Sequence, residues 1–184
     1  MKDIIKNAAK LFGKTIIINI MCFFLSISIV SISIALSGEN ANYIAYGLIM
    51  QVMTLIILAS FIYPFFWDKG YKDRNMVMTG NRTADPLKGF KTGLISIIPY
   101  VLSVPVFALI KGFPSALFKM LNAVYYAFFD FLTRGTDKFC DLAFWKFIVI
   151  IIIFFILPVI SGIGYYLGYK DFSIGEKLTY KKVK

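Results

Sequence analysis

At 184 residues the chain has room for one domain, and 59% of it is apolar against 16% charged, where a soluble domain averages roughly 45–50% and about 25%. With a mean hydropathy of +0.75, that balance excludes an ordinary water-soluble globule. Twenty Lys and Arg against ten Asp and Glu leave a net charge of +10; the cations lie between apolar runs, which points to membrane orientation and anionic lipid and away from nucleic acid.

Residues 2–14 place Ile4, Ile5, Ala8, Leu11 and Phe12 on one helical face and Lys2, Lys6, Lys10 and Lys14 on another. This is the pattern of an amphipathic helix on an anionic leaflet, or of a basic flank before a span. Residues 15–36 are the first predicted span. Its apolar run of about 22 residues exceeds the roughly 7–15 of a secretory signal core, so Ala35 and Ser37 are read as the end of a span rather than as a cleavage site. The second span, 43–66, follows a short turn that has no Lys or Arg.

Residues 67–91 read as a polar loop carrying Lys69, Lys72, Arg74, Arg82, Lys88 and Lys91 against Asp68, Asp73 and Asp85. Three carboxylates in one stretch are candidates for a divalent cation, or for headgroup phosphate held through Mg²⁺. The interleaved cations make a solvated loop the simpler reading. Asn81-Arg82-Thr83 has the form of a glycosylation acceptor, although the topology below places it inside. The third span, 92–110, contains Pro99 and Pro105; each removes a backbone donor and tends to kink a helix.

Residues 113–132 are apolar yet carry Lys119, Asn122 and Asp130, and fit an interfacial, a re-entrant or a spanning element. Asp130 either reaches water or pairs with Arg134 one turn on. The last span, 147–169, has no charged side chain and closes on Tyr165, Tyr166, Tyr169 and Lys170, rings and a cation that the headgroup layer favours. Four spans put fifteen of the twenty cations on one face, in residues 2–14, 67–91 and the tail 170–184. A fifth would carry the tail's five lysines across, against the positive-inside tendency.

The expectation is therefore an all-α integral membrane bundle of four transmembrane helices in the cytoplasmic membrane, with both termini cytoplasmic. An N-terminal amphipathic helix precedes it, and 111–146 forms an outer interfacial or re-entrant helical segment. Cys22 inside a span and Cys140 on the opposite face lie too far apart to bridge, and both are expected to be free thiols.

Each span carries a stripe of small or polar residues at helical spacing. Thr15, Asn19, Cys22, Ser26, Ser33 and Ser37 mark the first, and Tyr43, Gly47, Gln51 and Thr54 the second. Thr92, Ser96, Pro99 and Ser103 mark the third, and Ser161, Gly164 and Gly168 the last. Such stripes turn inward for helix packing, or line a polar solute path around Asn19 and Gln51. Asn19, Ser26, Gln51, Ser96, Gly164 and Gly168 are accordingly the packing or path candidates. Lys72, Arg74, Lys170, Lys177, Lys181 and Lys182 are candidates for contact with lipid or a partner. The Gly162, Gly164, Gly168 run has the wrong spacing for a dinucleotide loop. With no histidine in the chain and no charge in any span, no catalytic, cofactor or metal site is predicted.

Two stretches, GYKDRNMVMTG at 70–80 leading to KGFKTG at 88–93, and GIGYYLGYKDFSIGEKLTYKK at 162–182, resemble signatures of small multi-span membrane proteins of clostridial-type Gram-positive bacteria. The resemblance implies a membrane fold and brings no catalytic residue. The functional expectation is a non-enzymatic accessory or scaffold subunit. The alternatives are a transporter component, which would need a separate ATPase if ATP-driven, and a lipid-active enzyme using Asp73 or Asp85. Tyr71-Lys72-Asp73 and Tyr169-Lys170-Asp171 share a pattern that chance or a shared partner would explain.

Overall fold

The computed structural model describes residues 2–37, 43–81 and 83–172. Arg82 of the glycosylation-like triplet and the contact candidates Lys177, Lys181 and Lys182 lie outside them, as do the side chains of Ser33, Ser37 and Tyr43. Among the described residues the chain is helical and has no β-strand. Three long helices come first: α1 (Lys2–Ser37), α2 (Tyr43–Met78) and α3 (Lys88–Leu109). Two short ones, α4 (Ser115–Leu121) and α5 (Tyr126–Thr133), lead to a last rod made of α6 (Phe144–Phe154) and α7 (Ile156–Tyr169).

The four rods are long and apolar enough to cross a membrane. Their best windows have mean hydropathies of 1.9 to 3.0, yet only 22–33% of each window is buried inside the protein. A soluble core helix of that composition would hide most of its surface. Here Ile17, Phe24, Leu48, Leu102 and Ile152 all stand more than half exposed. Oily side chains facing outward along the full length of four rods require lipid as the solvent, and the protein is a membrane-embedded bundle.

Three sequence boundaries move. The amphipathic helix of 2–14 is no separate element: α1 continues through it without a break, because Ala8 and Leu11 are buried against the bundle. The segment 67–91 is not a loop for most of its length. α2 runs on to Met78 and α3 begins at Lys88, since Gly70, Asp73 and Gly89 are buried in packing that local polarity conceals. α2 ends where Gly80 takes φ +72° and the Asn81 N–H bonds back to the Met76 carbonyl at 2.9 Å, a left-handed helix stop that glycine permits at little cost. Third, the last span is broken at Phe155, where Pro158 leaves the Phe154 carbonyl without its helical donor. α3, by contrast, continues through both of its prolines.

α7 is the central rod, lying along both α2 and α3, while α1 packs on α2 and α3. Its approach to α2 is close enough that a Cβ on Gly168 would strike the Trp67 carbonyl, and one on Gly164 would crowd the Tyr63 backbone. On the α3 side a Cβ at Gly93 would strike Pro158 and Ser161, and one at Gly89 would strike Tyr165. Lipid supplies no hydrophobic force between helices, so close backbone contact through small residues has to do this work.

Between α3 and α6 the chain makes a closed excursion. Its neck is clasped by the Ser115 N–H to the Asp137 carbonyl and the Phe139 N–H to the Phe113 carbonyl, both at 2.9 Å. Beyond the neck, α4 and α5 enclose Phe118 and Phe129, whose rings pack on each other and on Phe139 and Phe154. Lys119 bridges the two arms to Asp130 at 2.6 Å. The partner of Asp130 is thus Lys119 and not Arg134, because the arms fold back and bring residues eleven apart together. The tip, a 3-10 turn at Ala123–Tyr125, is buried between α1 and α2. Of the three readings left open for 113–132, a single spanning helix is excluded, because the segment folds back on itself as two short helices.

Candidate functional site

Two polar constellations stand out, one inside the bundle and one at its basic end. The inner one surrounds the hairpin tip, where a 3-10 turn leaves backbone groups that no helix satisfies. The Val124 N–H donates to Asn19 Oδ1 of α1 at 3.1 Å. The Val124 carbonyl accepts from Gln51 Nε2 and from Thr54 Oγ1 of α2, each at 2.9 Å. Gln51 Oε1 in turn accepts from the Phe128 N–H at 3.2 Å. Asn19 Nδ2 reaches the Tyr100 hydroxyl at 3.4 Å, which donates to Thr15 Oγ1 at 3.0 Å. The stripes of the first two spans therefore meet on one backbone unit, Val124, one from each side.

Asn19 and Gln51 are brought together in this way, and the remaining candidates are not. Ser26 donates only to the Cys22 carbonyl at 2.7 Å, and Ser96 only to the Gly93 carbonyl at 2.7 Å, both within their own helices. Pro99 faces outward, contrary to the inward stripe expected of the third span. The space left beside Asn19, Tyr100 and Val124 is about 10 Å³, scarcely the ~10–15 Å³ that one water occupies.

The second constellation is a cavity of about 280 Å³ where α1, α2, α3 and α7 converge. α1 contributes Asp3, Lys6 and Lys10, α2 contributes Lys69, Lys72 and Asp73, and α3 contributes Lys88 and Thr92, with Tyr165 of α7 at the base. Asp73, 8% exposed, ion-pairs with Lys88 at 2.5 Å and accepts from the Tyr165 hydroxyl at 2.7 Å. The expectation of a solvated Asp73 is overturned: the last turns of α2 bury its carboxylate against α3 and α7. Asp68 pairs with Lys72 at 2.7 Å and Asp85 with Lys91 at 3.0 Å, so each of the three loop acids has a lysine for a neighbour. Lys6, Lys10 and Lys69 have no carboxylate within ion-pair distance among the described residues. Lys69 instead lies 4.9 Å from the centre of the Phe65 ring, which Lys14 also approaches at 4.8 Å.

The surface candidates divide as well. Lys72 is exposed and paired within its helix. Arg74 bonds Asp171 at 2.6 Å, and the Trp67 Nε1–H donates to the Phe172 carbonyl at 2.8 Å, so α2 pins the turn after α7. The two Tyr-Lys-Asp stretches thus lie side by side in the fold, with their aspartates in different roles. Lys170 is exposed, its ammonium 5.9 Å from the Tyr166 ring centre. Sequence reasoning grouped the lysines by loop and missed the cavity. The four-residue spacing of Lys6 and Lys10, matched by Lys69 and Asp73, was the available signal. Cys22 and Cys140 are both free thiols. No protein-family model matches the chain, and neither does any curated protein or solved structure.

Proposed function

We propose that the protein is a non-catalytic membrane subunit, an accessory or scaffold that holds a cationic end of fixed shape at the inner surface of a bacterial cytoplasmic membrane. Both termini would then face the cytoplasm, and anionic lipid and neighbouring membrane subunits would be the partners. The observation that carries this reading is how the polar groups are divided. Inside the bundle Asn19, Gln51 and Thr54 are engaged with the hairpin backbone, while charged side chains from three helices gather at one end. The first group supports a rigid body in preference to a solute path, and the second supports a surface made for anions.

Photo-crosslinking from Lys72 in native membranes is the test. The expected products are adducts with phospholipid or with a second membrane polypeptide. Recovery of a nucleotide-hydrolysing subunit would instead favour a transporter component. Solute flux by the purified protein in liposomes, abolished by Gln51→Leu in a folded variant, would sink the scaffold reading.

A further inference from the structure

The cavity at the basic end has more positive charge than its own acids neutralise. Five lysines line it against two aspartates; Lys72 is paired with Asp68 beyond the lining and Asp73 is engaged by Lys88 and Tyr165, which leaves Lys6, Lys10 and Lys69 against Asp3 alone. Lys6 and Lys10 stand one helical turn apart on the rim, and Lys69 faces them half-buried from α2. Like charges held around a partly dry space repel, and the repulsion is relieved when an anion enters. The Thr92 hydroxyl does not compete for that anion, because it donates to the Lys88 carbonyl at 2.7 Å.

We propose that this cavity binds a phosphate group, presented either by a phospholipid headgroup or by a free phosphate compound. Lys6, Lys10 and Lys69 supply the charge, and the Asp73–Lys88–Tyr165 network fixes the floor. Several ammonium groups arranged as flexible point charges suit a tetrahedral polyanion better than a planar carboxylate, which favours the bidentate fork of arginine. The volume of about 280 Å³ accommodates the group with waters around it. The inference rests on the reading that this end meets anions, but it does not depend on which side of the membrane the end faces.

The test uses the full chain in neutral detergent, titrated with short-chain phosphatidic acid, short-chain phosphatidylcholine and inorganic phosphate, with binding read by native mass spectrometry and by the shift in melting temperature. Phosphatidic acid is expected to bind and to raise the melting temperature. Its affinity should fall at least tenfold in the Lys10→Gln/Lys69→Gln double variant and stay unchanged in Lys138→Gln, a lysine outside the cavity. Comparable binding of inorganic phosphate assigns the site to free phosphate compounds, and binding of phosphatidic acid alone assigns it to headgroups. Binding of neither, equal binding of phosphatidylcholine, or a double variant that is folded by circular dichroism and binds as tightly as the parent would overturn the proposal. Sidedness is measured separately by thiol labelling, so the orientation of this end and the occupancy of the cavity can fail independently.

Discussion

A single backbone unit, that of Val124, explains why two apolar spans carry an asparagine and a glutamine. Its N–H and C=O lie inside the bundle with no helical partner, and Asn19 and Gln51 supply the missing bonds. Asn19→Leu strands the Val124 N–H and Gln51→Leu strands the Phe128 N–H, so each should lower stability by about 1–3 kcal/mol, the cost of leaving a buried backbone group unmet. Thr54→Val should cost only about 0.6 kcal/mol, because Gln51 still bonds the same carbonyl. Unfolding in mixed detergent micelles gives both values, and equal losses for Gln51→Leu and Thr54→Val would contradict the assignment. A second contrast concerns ion pairs. Asp73→Asn leaves Lys88 in a site where its side chain is 13% exposed, and should cost about 3 kcal/mol. Asp68→Asn breaks a pair that is 64% and 54% exposed and should cost about 0–1 kcal/mol. The same unfolding assay ranks the two.

Among the elements, α7 shows how glycine placement sets the distance between rods. Gly168→Ala puts a methyl group against the Trp67 carbonyl and should separate α7 from α2, lowering the melting temperature by several degrees. Gly13→Ala, with nothing within 4 Å, should stabilise α1 by up to about 1 kcal/mol through helix propensity. Differential scanning fluorimetry distinguishes these opposite signs. The four rods were legible because uninterrupted apolar runs leave a linear record of membrane crossings. Gly164 and Gly168 stood out for a similar reason, through their four-residue spacing. The continuation of α2 past Phe66 was not legible. Its Trp67–Met78 turns are polar on the outside, and what keeps them helical is the contact of Gly70 and Asp73 with α7 and α3, a long-range fact. The lysine cavity was hidden for the same reason, since Lys10, Lys69 and Lys88 are neighbours only after three helices have been placed.

Over the whole molecule, length and charge lead to an expectation for how the bundle sits. α1 and α2 each have 36 residues, or about 54 Å at 1.5 Å per residue, well beyond the ~30 Å hydrocarbon layer. The surplus of α2 begins at Trp67, which stacks on Tyr71 as the headgroup layer favours, and the lysines follow. A membrane-impermeant maleimide should therefore modify Cys140, at the opposite end, in intact cells. A thiol introduced by Lys72→Cys should react only after permeabilisation, and the reverse pattern would invert the bundle. Cys22, fully buried, should stay silent until the protein unfolds. The clasped hairpin also imposes an order on synthesis. Its tip needs α1 and α2 already inserted, and Tyr125 and Phe129 are covered only when Phe154 arrives. A nascent chain arrested after Ala143 should therefore leave residues 113–139 open to protease, and release of the final rod from the ribosome should seal them.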